Sequence, residues 1–421
     1  MAIVQNKTLY VLNDSNFYDP LYTVNNEIFL TADIITNMFI YSQYKRAINS
    51  PLSIKTVRLY LLNEDESLKE DISKYICSYD IDLKYQQGQT RSANISLMNF
   101  DGKWTPNPIS GYLWKNSKFK IDIGIYYNET VYWKEFGIYS PADPLIDDNV
   151  KTVSVQLYDK YALIDGTIGG NFASGLKIPV GTPIRQAIAM CLLDDSGNGK
   201  AYDKKPIIFP SKYEESVTPY TITKTPNITI GEIIIELANM IFCDVFYNET
   251  GNLVLKSGED DLTDNKEHHP VQWEYNEHNI SYIDTKFSVD YTKIVNKIIV
   301  YGAIQNGYQY KGIALNENAK SQSNITVTSV NEELIEDENI IGDNNCLSRA
   351  KYELNKRSKL SFSLNYKSVF IPHLVPNELI SWTNSFYNIK NELFIITAIH
   401  INGDSSTMMD LSLTNLNEVA F

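Results

Sequence analysis

The chain has 421 residues, with 37 Lys or Arg against 51 Asp or Glu, and a formal net charge of −14. This length exceeds one small core and points to roughly two to four domains. The acidic balance, without any polybasic run, argues against a face built to neutralise nucleic-acid phosphates. Hydrophobic residues make up 43% and aromatic residues 12%, with 29 Tyr, enough for sizeable cores and weighted toward half-buried β surfaces.

In chain order, MAIVQNKTLY lacks a charged leader and a long apolar core, so no signal peptide is expected and the protein should fold in a cytoplasm. No apolar run approaches ~18 residues, so no transmembrane helix is expected. Trp104, Trp114 and Trp133 fall close together in the first third. They could form a sugar-stacking patch, although core or interface packing is the more common use of such residues. Ile121, Ile123 and Ile125, and then Val153, Val155 and Leu157, alternate with other residues at the period of a strand with one buried face. The polar step at Asn128, between aromatic arms, reads as a hairpin turn.

A first helix is expected with Thr182 as N-cap and Pro183 as its first residue. Its apolar face is Ile184, Ala187, Ile188, Cys191 and Leu192. DDSGNG, from Asp194 to Gly199, resembles the first half of a calcium loop. Lys205 stands where such a loop needs a bidentate Glu, so a polar helix-ending loop is expected instead. A second helix starts at Thr229, with Glu232 completing a capping box. Its stripe is Ile230, Ile233, Ile234, Leu237, Ala238 and Ile241. A hairpin follows, turning near Thr250, Gly251 and Asn252.

The Asp- and Asn-rich stretch GEDDLTDNKEHHP marks a boundary. His268 and His269 are adjacent and His278 stands apart; neighbouring strand residues face opposite ways, so these histidines make a poor metal site. A third helix is expected over residues 345–356, supported by a Glu353–Arg357 pair. Leu411 and Leu413 mark a last strand, after a turn at Asn402, Gly403 and Asp404.

Cys77, Cys191, Cys243 and Cys346 have no paired spacing, so free thiols are expected rather than disulfides or zinc. No nucleophile elbow, phosphate loop or zinc-protease motif occurs. Acidic pairs are numerous, and a glycosidase-like pair would show only in their spatial separation. No catalytic, cofactor-binding or metal-ligating residue is assigned. The fold class is mainly β with an α+β insertion. A first β-domain is expected over residues 1–165, a mixed α/β domain over 166–270, and a second β-domain over 271–310 and 360–421. Residues 311–359 form an inserted segment with one helix.

Three groups of segments carry a resemblance. The first is RSANISLMNFDGKWTPNP with SKFKIDIGIYYNETVYWKEFGIYS and VSVQLYDKYALIDG. The second is GTPIRQAIAMCLL with ITIGEIIIELANMIFCDVFYNETGNLVLK. The third is YTKIVNKIIVYG, SRAKYELNKRSKLSFSLNY, PHLVPNELISW and NELFIITAIHINGDSSTMMDLSL. In this order, over about residues 70–421, they resemble the baseplate hub proteins of contractile-tailed phages and phage tail-like particles. The match is an ordered series with no short diagnostic motif.

The resemblance implies that both β-domains are tube-like barrels and that the protein is a structural homotrimer, not an enzyme. Three copies would offer six similar units to a sixfold tail tube and a threefold face to the central spike, around a DNA and tape-measure channel. Implied partners are tail tube protein, spike or cell-wall hydrolase, tape-measure protein and baseplate wedge proteins, with neither membrane insertion nor sequence-specific nucleic-acid binding. The implied location is the virion baseplate, assembled in a host bacterial cytoplasm. The alternatives are the hub-like N-terminal part of a siphophage tail-tip protein, a cell-wall carbohydrate-active enzyme, or a glycan-binding module.

Overall fold

A computed structural model of the chain describes residues 26–30, 38–106, 112–114, 117–172, 175–193, 201–257, 270–277, 282–289, 295–319, 321, 323–358, 362–403 and 408–415. Its first part is β1 (Asn26–Phe29), α1 (Met38–Ile48), β2 (Ile54–Leu62), β3 (Leu68–Asp71), β4 (Ile76–Lys84), β5 (Arg91–Met98), β6 (Lys118–Tyr127), β7 (Thr130–Asp147) and β8 (Thr152–Asp159). The period-two reading holds: Ile121, Ile123 and Ile125 of β6 are buried, as are Val153, Val155 and Leu157 of β8. Asn128 and Glu129 join β6 to β7 with φ of 48° and 63°. Two consecutive left-handed residues match the twist of a tight hairpin. The helix α1 falls in the N-terminal stretch, where the sequence expectation is added strands or a docking arm and not a helix. Tyr44, Ala47 and Ile48 pack its inner face into the core.

The middle part holds β9 (Leu176–Ile178), α2 (Ile184–Cys191), β10 (Ile222–Lys224), α3 (Ile230–Met240), β11 (Cys243–Tyr247) and β12 (Leu253–Ser257). The α3 capping box forms as expected: the Glu232 amide donates to Thr229 Oγ1 at 3.1 Å, and the Thr229 amide donates to Glu232 Oε2 at 3.0 Å. The start of α2 is corrected by one residue. Pro183 is the extended N-cap and Ile184 the first helical residue. Thr182 cannot cap, because its hydroxyl donates back to the Pro179 carbonyl at 2.7 Å. The buried faces of α2 and α3 meet over β11 and β12 in one apolar core, with Cys191 and Cys243 inside it as free thiols.

The last part runs β13 (Trp273–Asn276), β14 (Tyr282–Val289), β15 (Lys297–Gln305), β16 (Tyr308–Leu315), β17 (Glu332–Glu336), α4 (Asp343–Ser358), β18 (Phe362–Val369), β19 (Leu379–Asn384), β20 (Ile389–Asn402) and β21 (Met408–Asn415). The third expected helix is therefore present and longer at both ends. Its Glu353 pairs with Arg357 at 3.2 Å and with Arg349 at 2.7 Å.

The expected extent of the second β-domain is corrected. Residues 297–310 do not join its sheet, because β15 pairs with β16 and β17 in a separate three-stranded sheet. The apolar face of that sheet, Ile298, Val300 and Ala314, is covered by Cys346, Ala350 and Leu354 of α4. The contact is so close that a Cβ on Gly312 would lie 2.1 Å from the Leu347 amide nitrogen.

Among the described residues, the remaining strands of the first and last parts do not form two separate barrels, while β9 pairs with β10 and β11 with β12 in the middle part. The strands of the first and last parts other than β15, β16 and β17 share a 14-stranded sheet whose path is β14-β18-β21-β20-β4-β5-β8-β7-β6-β2-β3, with β1 on β7 and β13 and β19 leading off β20. Among the described residues the path ends at β14 and β3 without closing on itself. One core runs beneath it, from Leu59, Ile81 and Ile121 to Tyr366, Trp382 and Leu411.

Candidate functional site

The large sheet contains the same five-strand unit twice. In the first part the pairing order is β4-β5-β8-β7-β6, and in the last part it is β14-β18-β21-β20-β19. Every neighbour pair in both units is antiparallel.

The registers repeat too. Ile76 faces Leu97, the register then shifts by one, and Ser78 faces Ser96, continuing to Leu83 against Arg91. Tyr282 faces Ser368, the register shifts in the same way, and Asp284 faces Lys367, continuing to Val289 against Phe362. A bulge is a built feature of a strand, so its recurrence at the matching place marks the two units as copies of one design. The outermost strands differ: β6 takes β2 antiparallel, and β19 takes β13 parallel.

The two units meet edge to edge. Lys84, Leu83, Asp82, Ile81 and Asp80 of β4 oppose Ala398, Ile399, His400, Ile401 and Asn402 of β20. Ile81, Leu83, Ile399 and Ile401 are all buried at this joint. On the outer face His400 Nδ1 lies 3.0 Å from Asp82 Oδ1. The chain leaves the joint at Gly403, whose amide donates to the Tyr79 carbonyl at 2.6 Å. A Cβ there would lie 2.3 Å from that oxygen, so only glycine fits.

Polar contacts tie the first unit to the middle part. Lys160, just after β8, is 1% exposed, and its Nζ lies 2.7 Å from Glu66 and 2.8 Å from Asp203. It also donates to the Gly251 carbonyl at 2.9 Å. Lys118 and Lys205 complete a cage around Glu66 at 2.9 and 2.5 Å. Burial opposes ionisation of Glu66, but Lys160 and the two other lysines outweigh it and hold the carboxyl at about 2. Such a group does not donate a proton at neutral pH, although a cleft of about 960 Å³ opens beside it. A second tie is Asp244 of β11. It accepts from Tyr85, after β4, at 3.0 Å and from Tyr352 of α4 at 3.2 Å, so one carboxylate links three parts of the chain.

The residues singled out in the sequence do not converge. His268, His269, His278 and the stretch from Asp194 to Gly199 lie outside the described residues, as does Asp404 in the last turn. Lys205 is engaged with Glu66 and with the Thr250 carbonyl. Trp104 is buried against Tyr75 and Tyr112. Trp133 is buried with the Arg58 guanidinium 4.2 Å above its ring, while Trp114 is half exposed. The three therefore make no common stacking platform. Among the described residues no group of three or more His, Cys, Asp or Glu could hold a metal, and no helix is long and apolar enough to cross a membrane.

Several buried groups have displaced ionisation. Burial pushes Asp122 of β6 up to about 7 against the pull of Lys120, and Asp159 up to about 6 despite three backbone amides. Burial also lowers His373 to about 4, where Tyr44 meets its Nδ1 at 2.8 Å. Asp122 and Asp159 sit within packed strands, and His373 in the turn between β18 and β19.

Asp122 yields a test. Its raised folded value means that it binds a proton below about 7 in the folded chain but only near its ordinary value when unfolded. Its contribution is therefore present at low pH and lost as pH rises through about 7. Asp122→Asn, which removes the buried charge, is expected to gain stability relative to the parent at pH 8 and to lose that advantage at pH 5. Urea denaturation at both pH values measures this; an equal difference at the two would contradict it.

The sequence missed the joint, Lys160 and Asp244 because no local signal marks them. Their partners are distant in the chain, and the two units share no evident sequence similarity.

No protein-family model matches the sequence, and no curated protein matches it. Solved structures do match in fold. A tail protein from Neisseria meningitidis superposes with a TM-score of 0.56 at 10% identity, covering 86% of this chain and 97% of that one. A 43 kDa prophage tail protein from Shewanella oneidensis gives 0.55 at 11%, covering 86% and 98%. A prophage tail protein from Listeria monocytogenes gives 0.51 at 10%, covering 85% and 94%. Nearly the whole of each tail protein is spanned, so the chain has their fold.

Proposed function

We propose that the chain is a structural, non-enzymatic baseplate hub of a phage-type tail, and that three copies close into a ring between a sixfold tail tube and a threefold spike. The observation that carries this is the five-strand unit present twice in one chain, within a fold shared with tail proteins. Three chains then present six similar units while the ring keeps threefold symmetry, which reconciles the two symmetries with closed interfaces. Barrel closure becomes a property of the ring, since among the described residues the sheet of one chain is open. The same reading takes residues 1–165, and 271–296 with 360–421, as tube-like units, with the mixed part at 166–270 braced against them. Tail tube, spike or hydrolase, tape-measure and wedge proteins are the partners, and the net charge of −14 suits a channel along which DNA passes without adhering.

Light scattering on the purified chain is expected to give about three times 48.0 kDa. Averaged electron micrographs should show a threefold ring with six similar lobes. A monomer at every concentration, alone and with tube or spike protein, would overturn the reading.

A further inference from the structure

The joint between β4 and β20 is a template, because its two strands have counterparts elsewhere in the repeat. By register β14 stands where β4 stands, and the far end of β7 stands where the far end of β20 stands. Both counterparts are edges among the described residues. The strand β14 ends the sheet, and pairing of β7 with β6 stops at Tyr139, after which β7 has β8 on one side alone.

The exposed side chains agree. Ile146 is 46% exposed, whereas Ile401, its counterpart by register in β20, is 0% exposed under β4; Leu145, 69% exposed, stands where His400 stands on the outer face. A strand edge carrying open apolar residues is a pairing site that folded proteins normally cover.

We infer that β14 of one copy adds antiparallel to the far end of β7 of the next copy, reproducing between chains the joint that β4 and β20 make within one. The register carries over from the internal joint. Leu145 then opposes Ser288, Ile146 opposes Phe287, and Asp147 opposes the exposed Lys286. Opposite charges directly across an antiparallel pair are favourable. Each chain thus holds one internal joint and offers one complementary pair of edges, a head-to-tail contact that closes into a ring. The inference rests on the ring reading above and specifies its contact.

The test is a cysteine pair, Asp147→Cys with Lys286→Cys, made in a Cys77→Ser background because Cys77 is an exposed thiol. Directly opposed antiparallel residues lie within disulfide reach. Mild oxidation is expected to give a non-reducing gel ladder ending at three chains, and mixing the two single-cysteine variants should give a two-chain product. The control pair Asp80→Cys with Asn402→Cys should close within one chain and leave the mass unchanged. Ile146→Lys, at an exposed position, should keep native circular dichroism and lose the trimer. A trimer that shows no bond between residues 147 and 286 would overturn the joint and leave the ring. A chain that never exceeds a monomer by light scattering would overturn the ring itself.

Discussion

Lys160→Met is expected to destabilise the protein by roughly 3–5 kcal/mol, the usual cost of removing one partner from a buried ion cluster. The ammonium is 1% exposed and touches Glu66, Asp203 and the Gly251 carbonyl, so its loss leaves two carboxylates and a carbonyl short of their main donor. Glu66 keeps Lys118 and Lys205, and Asp203 is left the worse placed. A second change should therefore recover part of the loss. Lys160→Met with Asp203→Leu removes charge on both sides, and apolar replacement of a buried pair is often close to neutral. Urea denaturation of the two variants measures both effects. A single variant within about 1 kcal/mol of the parent, well below the usual cost of an orphaned buried charge, would mean that the cluster contributes little.

The other large effect is expected at Trp382→Ala, again roughly 3–5 kcal/mol, the range for emptying a large core aromatic site. Trp382 is fully buried in β19, with Tyr387 at 5.6 Å, Phe394 at 5.7 Å and Tyr366 at 6.3 Å between ring centroids. The last two contacts are edge-on, a geometry that adds to area burial. Trp114→Ala is the contrast: at a residue 42% exposed, it should shift stability by no more than about 0.5 kcal/mol. Thermal unfolding of the pair decides this, and similar shifts for both would refute the burial argument.

The matching place in the first unit belongs to Ile121 of β6, opposite Gly137, as Trp382 is opposite Glu392. That difference shows why the duplication could not be read along the chain. A pleated position asks for an apolar side chain of fitting volume, and a branched aliphatic meets the demand in one unit while an indole meets it in the other. The bulge shared by β4 and β14 is likewise a backbone feature, and the chain bears different side chains around it.

Sequence alone determined what is local: the mainly β character, the alternating strands, the turns at Asn128 and Gly251, the capping box of α3 and the buried thiol of Cys191. Each follows from a periodicity or a cap within a few residues, where backbone geometry and solvent impose their preferences directly. Tertiary structure decided that β4 meets β20 across more than three hundred residues, that β15 leaves the large sheet for α4, and that Lys160 and Asp244 clamp separate parts together. Pairing of strand edges and burial of charge depend on which surfaces the folded chain brings face to face, and any exposed edge has the same backbone donors and acceptors to offer.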